Sequence, residues 1–193
     1  MKCDIVLAGV GGQGVLSLAV AIMTAAVGEK LCVKQSEVHG MAQRGGAVMA
    51  GLRLSDREIA SDLIPRGTAS MILSMEPMEG LRYLSFLSPQ GTIVSSANPV
   101  LNIPDYPDLD NLLDKLRTLP RAIVVDAEKL AREAGSARAT NMIIVGAAMH
   151  LLPFKAQAVE EAVRSIFSSK GSKVVDINLR ALQAGQNAAR SSA

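Results

Sequence analysis

Apolar runs and aliphatic helix patterns alternate along the first two thirds of the chain. DIVLAGV (4–10) is a short apolar run that stops at glycine, as a strand covered on both faces does. Residues 13–28 carry small and aliphatic side chains without proline, which suits a helix packed closely on that strand. LCVKQSE (31–37) and the partly alternating GAVMAGLRLS (46–55) read as the second and third strands, with a loop between them. ASMILSM (69–75) is another buried strand, and Pro77 fits the first turn of a helix over MEGLRYLSFL. GTIVSSA (91–97) and AIVVDA (122–127) complete the strand set, separated by the helical LDNLLDKLRTL and by NPVLNIPDYPD (98–108), whose prolines predict a surface excursion.

From about residue 128 the pattern is helical only. AEKLAREAG, ATNMIIVGAAMHLL and KAQAVEEAVRSIFSS are punctuated by Gly135 and Pro153, and a fourth helix is expected over about 174–186. The expected fold class is therefore α/β, a Rossmann-like and mostly parallel sheet flanked by helices, with a C-terminal helical lobe. One domain is expected over 1–187, followed by a frayed tail at 188–193, where NAARSSA is small and polar. No internal repeat or low-complexity segment is found.

Composition narrows the function classes. With 20 Lys plus Arg against 18 Asp plus Glu, the net charge of +2 provides no field to hold nucleic acid. No run of 18 or more apolar residues suggests a membrane span, and MKCDIVLAGVGG leads straight into a glycine turn without the features of a signal peptide. A cytoplasmic location is expected. Aromatic residues make up only 3% of the chain while nine are Met, so the core is expected to be aliphatic. Cys3 and Cys32 form no CxxC pair and read as small, reduced core residues. His150 lies in an apolar helix pattern and reads as a core or interface residue.

The densest chemical signals are two glycine-rich loops. In AGVGGQG, Gly9, Gly11 and Gly14 satisfy G-x-G-x-x-G between a strand and a helix. Glycine permits positive φ and close approach of backbone N–H groups to a phosphate, and the helix N-terminus adds partial positive charge. Gln13 contributes an amide that both donates and accepts. Glu37 stands where a dinucleotide fold carries its ribose-binding acid, so NAD remains open. In SEVHGMAQRGGAV (36–48), Glu37, His39, Gln43 and Arg44 fall within eight residues beside Gly40, Gly45 and Gly46. Arg44 can fork onto a phosphate or carboxylate, or pair with Glu37 to tie the loop. His39, with no Cys, Asp or second His near it in sequence, is a weak metal ligand or general base. Both loops are expected at the carboxyl edge of the sheet, where open α/β folds bind ligands.

Together GVGGQGVLS and SEVHGMAQRGGAV resemble the γ-type domain of the 2-oxoacid:ferredoxin oxidoreductases, and the HGMAQRGG form is most similar to the arylpyruvate branch. The likeness extends through ILSMEPMEGLRYLSFLSPQGTIV and NMIIVGAAMHLLPF. It implies a subunit, inert alone, of a complex that oxidatively decarboxylates an arylpyruvate such as indolepyruvate with coenzyme A, giving the acyl-CoA, CO2 and reduced ferredoxin. It further implies a partner α subunit carrying thiamine diphosphate, magnesium and iron–sulfur clusters. The chain itself shows neither a GDG…NN thiamine signature nor a cluster-type cysteine run. Carried over by motif, Gly9, Gly11, Gly12, Gln13 and Gly14 face the coenzyme A phosphates, and Glu37, Gln43, Arg44 and Gly45 shape the wall of a shared cleft. Two other readings stay open from the residues. One is a free-standing adenylating or NAD-dependent enzyme, since GVGGQG also resembles the ATP turn of enzymes that adenylate ubiquitin-like proteins. The other is a scaffold whose turn binds nothing.

Overall fold

The computed structural model describes residues 1–39 and 45–191. Among them are six strands: β1 (Lys2–Val10), β2 (Cys32–His39), β3 (Ala47–Ser55), β4 (Ala69–Ser74), β5 (Leu87–Ser96) and β6 (Ala122–Val125). The α-helices are α1 (Val15–Gly28), α2 (Pro77–Arg82), α3 (Leu109–Arg117), α4 (Ala127–Ala134), α5 (Thr140–Ala148), α6 (Ala156–Phe167) and α7 (Ser172–Ser191). The strands form one mixed sheet in the order β2-β3-β1-β4-β5-β6.

The α/β expectation holds, with one difference in strand direction. β1, β4, β5 and β6 pair in parallel, whereas β3 is antiparallel to both β1 and β2. A parallel crossover needs roughly a dozen residues, and only residues 40–46 separate β2 from β3. The connection is therefore that of a hairpin. β2 consequently runs in the same direction as β1, and its carboxyl end reaches the edge where β1 ends, with His39 opposite Val48 and Val48 opposite Gly9.

β1 is buried along its length past Lys2 because helices cover both faces. Ile5 and Leu7 pack with α1, α4, α5, α6 and α7 on one side. Val6 on the other joins Ile72, Ile93, Leu113 and Leu116, beneath α2 and α3. The connection from β1 through α1 to β2 thus covers one face, and that from β4 through α2 and α3 to β6 covers the other. The strand order reverses between the parallel neighbours β1 and β4, and their carboxyl ends flank the crevice where ligands enter such sheets.

Helix ends follow the local sequence. Glu76 caps α2 by accepting from Glu79 N at 2.8 Å, with Pro77 in the first turn. Asp126 accepts from Lys129 N at 3.0 Å to start α4, and Gly135 at φ 113° ends it.

Cys3 is a core residue as expected, and several other expectations are corrected. Cys3 is buried, and its thiol is pushed up to about 11 by burial, with the charge of Asp4 adding to the shift and a hydrogen bond to Ser70 opposing it. Cys32 is exposed because β2 is an edge strand. Of the two readings of His150, the core one is corrected: it is exposed in a 3-10 turn, Met149–Leu151, that ends the buried run of α5. The stretch expected to fray continues as α7 through Ser191, because its small residues face inward and bury Ala189. Among the described residues, no helix is long and apolar enough to cross a membrane.

Candidate functional site

The first glycine loop closes β1 against α1. A Cβ on Gly9 would stand 2.7 Å from Val15 Cγ2 and 3.1 Å from Met75 Cβ, so glycine is needed where strand, helix and β4 converge. Gly12 (φ 103°) and Gly14 (φ 78°) adopt left-handed backbone, and Gly14 caps α1 without a side-chain hydrogen bond. The turn is fastened by Gln13. Its Oε1 accepts from Val10 N at 2.8 Å and its Nε2 donates to Met75 O at 3.1 Å. The amide foreseen at this position therefore braces the turn across the β1–β4 switch point, reinforced by Met75 N donating to Ala8 O at 2.9 Å.

The second loop meets the first. Gly11 N donates to Gly46 O at 2.8 Å and Gly45 N donates to Gly11 O at 3.3 Å. Gly45, at φ 78°, is also held by Asn102 Nδ2, which donates to its carbonyl. Of the residues expected to wall the cleft, Gly45 is thus brought against Gly11. Glu37 lies on the exposed edge strand, opposite Ala50, with Gln35 Nε2 donating to its carboxylate. Gln43 and Arg44 lie outside the described residues.

Two openings flank this junction. Gly11, Gly12, Gly14, Leu16 and Val48 line a cleft of about 300 Å³ on the α1 face. Among the described residues, the N–H groups of Gly12, Gly14, Val15 and Leu16 have no backbone acceptor, so the cleft meets donors at the positive end of a 14-residue helix. On the other side of Gln13, Met75, Ser96, Asn98, Arg132 and Thr140 border a cavity of about 330 Å³.

The proline-rich excursion rims this edge of the sheet. Its Tyr106 hydroxyl donates to the fully buried Glu76. Desolvation, followed by the hydrogen bond and charge of Glu76, holds the phenol well above its ordinary pKa. At the loop's start, Asn98 Nδ2 donates to Asp126 Oδ1 at 2.9 Å, and chiefly this bond keeps the Asp126 carboxyl below the usual range. Glu79 is shifted the other way, mainly by burial, against the opposing effect of its ion pair with Arg82 at 3.0 Å. These contacts explain how a proline-rich loop stays fixed near the glycine turn.

Residues 4–188 match the family described as Pyruvate ferredoxin/flavodoxin oxidoreductase. The chain belongs to that family. It is 40% identical to the indolepyruvate oxidoreductase subunit IorB of Archaeoglobus fulgidus, over 98% of this chain and 96% of that one. The fold matches pyruvate oxidoreductase subunit PORC of Thermotoga maritima at a TM-score of 0.75, with 21% identity and 96% of each chain covered. It also matches the 2-oxoglutarate:ferredoxin oxidoreductase of Magnetococcus marinus, solved with 2-oxoglutarate, coenzyme A and succinyl-CoA bound, at a TM-score of 0.78 and 22% identity. That alignment covers 98% of this chain and 31% of the longer polypeptide.

In this oxidoreductase chain, no group of three His, Cys, Asp or Glu side chains among the described residues is arranged to hold a metal ion. Sequence reading missed Asn102, Tyr106 and Glu76. Their partners lie 57 and 30 positions away, and only the proline-rich composition between them hinted at a loop that needs anchoring.

Proposed function

We propose that the chain is the smaller subunit of an arylpyruvate:ferredoxin oxidoreductase, with indolepyruvate as substrate, and that it supplies the coenzyme A pyrophosphate site. The observation that carries this reading is the junction of the two glycine loops, where four residues that line a cleft at the switch point of the sheet have backbone N–H groups without a backbone acceptor among the described residues. The name of the Archaeoglobus relative supports the substrate, and the coenzyme A in the Magnetococcus structure supports the cosubstrate.

Thiamine diphosphate with magnesium, and iron–sulfur clusters, supply the decarboxylation and electron transfer from the partner α subunit. Oxidised ferredoxin takes the electrons, the carboxyl group leaves as CO2, and the remaining acyl group is transferred to the coenzyme A thiol. This chain's residues bind and orient the cosubstrate. The amide N–H groups of Gly12, Gly14, Val15 and Leu16 donate to its pyrophosphate oxygens, while Gln13 and the Gly11–Gly46 pairing hold those amides in place. Gly45 and Asn102 form the adjoining wall.

A subunit contact around the same edge is supported by exposed aliphatic residues. Val38 is 62% exposed, Leu101 75% and Ile103 41%, and they flank the second glycine loop on either side of the Asn102–Gly45 bond. The cleft then opens toward the partner that carries the chemistry.

The test is reconstitution. The isolated chain reduces no viologen dye with indolepyruvate and coenzyme A, and adding the co-purified cluster-bearing subunit restores at least about 100-fold activity over background. Leu101→Glu in this chain is expected to weaken that assembly in sedimentation and to reduce activity in parallel. Full activity of the partner without this chain overturns the proposal, as does pyrophosphate release from ATP by the chain alone.

A further inference from the structure

Next to the glycine turn lies a cavity of about 390 Å³, assembled from α1, the 3-10 turn Ala137–Ala139, α5, the end of α6 and α7. Ser17, Arg138, Asn141, Phe167, Lys170 and Asn178 are among its lining residues, and no carboxylate is. Neither Arg138 nor Lys170 is ion-paired among the described residues, although the chain as a whole is nearly balanced in charge. The Lys170 ammonium sits 5.4 Å from the centre of the Phe167 ring. The nine-residue α5 starts here without a side-chain cap, its positive end toward the cavity. Phe167, Val174 and Ile177 supply the apolar part of the lining, with the Phe167 ring beside Lys170.

This cavity adjoins the proposed pyrophosphate cleft. A Cβ on Gly14 would be 3.5 Å from both Ser17 Oγ and Asn141 Nδ2, which line the cavity, while Gly14 itself lines the cleft. A ligand whose pyrophosphate occupies the glycine turn can therefore extend past Gly14 into a compartment lined by both apolar side chains and cations.

We propose that this compartment is the specificity pocket for the 3′-phosphoadenosine end of coenzyme A, with the purine against Val174 and Ile177 and the 3′-phosphate held by Arg138 and Lys170. The inference rests on the coenzyme A reading of the glycine turn and assigns new residues to it. Arg138 presents a planar fork and Lys170 a point charge, a combination suited to a terminal dianionic phosphate. Ser17 and Asn141 supply neutral polar groups between the two phosphate positions. The pocket makes the chain discriminate coenzyme A from its 3′-dephosphorylated form.

The experiment is steady-state kinetics of the reconstituted complex with coenzyme A and with dephospho-coenzyme A. The native complex is expected to show a KM for dephospho-coenzyme A at least about tenfold higher, the size of a charge-assisted contact. In the Arg138→Gln/Lys170→Gln double variant, the two KM values should converge to within about twofold, with kcat unchanged. Arg138→Lys, which keeps the charge, should retain most of the discrimination and serves as a folding control. Gly12→Asp, at the proposed pyrophosphate position, should raise both KM values together and leave their ratio intact. If Gly12→Asp raises both but the double variant still discriminates, or the native complex never does, the pocket assignment is overturned. If Gly12→Asp leaves both KM values unchanged, the coenzyme A reading beneath it falls instead.

Discussion

Gly185→Ala is expected to abolish folding, or to lower the free energy of unfolding by more than about 4 kcal/mol in urea titration. A Cβ at this position would lie 2.0 Å from the Ile143 carbonyl oxygen and 3.0 Å from Ala147 N. The relation is reciprocal: a Cβ on Gly146 would lie 2.0 Å from Leu182 O. Helices α5 and α7 therefore cross at backbone distance, each presenting a glycine to the other. Overpacking of a core usually costs about 1–3 kcal/mol because side chains can shift rotamers, but here the obstruction is backbone. The helices would have to separate, and α5 from Met142 to Ala148 is fully buried against the sheet and its neighbours. A domain with a stability of about 5–15 kcal/mol has little margin for such a change. Gly28→Ala is the contrasting control. Nothing lies within 4 Å of its Cβ, its φ is not positive, and the substitution should leave stability unchanged or raise it slightly.

Gly12→Asp is expected to raise the KM for coenzyme A at least about 30-fold in the reconstituted complex, with kcat little affected at saturation. Gly12 has φ 103°, and a Cβ there meets nothing within 4 Å. The new side chain enters open space on the cleft wall without a steric clash. Aspartate and asparagine tolerate positive φ better than other non-glycine residues, so the fold should survive with a cost of about 1–2 kcal/mol. What changes is the charge: a carboxylate occupies a mouth otherwise lined by N–H donors and a helix N-terminus. Gly12→Asn has the same shape without the charge, and its KM should rise by less than about tenfold. Equal effects of the two substitutions would point to obstruction of the turn rather than to an anion site. Differential scanning fluorimetry of both variants checks that the fold is retained.

The fold was legible where a single short segment carried the signal. The apolar run ending at Gly9, the glycine spacing to Gly14 and the aliphatic helix after it identified the strand–turn–helix unit, and the second loop was correctly assigned to the same sheet edge. Strand direction was less legible. LCVKQSE and GAVMAGLRLS looked like any two strands of an alternating α/β chain, and only the seven-residue gap between β2 and β3 distinguishes a hairpin from a crossover. Core positions at the margins were also misread: the exposed edge left Cys32 in solvent, and the end of α5 kept His150 out of the core. α7, by contrast, kept Ala189 inside where composition suggested fraying.

The candidate site divides in the same way. Gly9, Gly11, Gly12 and Gly14 were named from a motif whose backbone requirements are local, and Gln13 was named as an amide facing the phosphates, whereas in the fold its amide fastens the turn to Val10 and Met75. Arg138 and Lys170 had no local signal. They come from two different helical turns, and their common cavity exists only after α1, α5, α6 and α7 have packed. The Gly146–Gly185 crossing is equally nonlocal, since each glycine alone reads as a weak spot in a helical pattern.

Hydrogen–deuterium exchange of the reconstituted complex, with and without saturating coenzyme A, tests the central claim most directly. The amides of Gly12, Gly14, Val15 and Leu16 lack backbone acceptors among the described residues and should exchange rapidly in the free complex. Bound pyrophosphate should slow a peptide spanning residues 9–18 at least about tenfold. Unchanged exchange in that peptide, with protection confined to the partner subunit, would contradict the account.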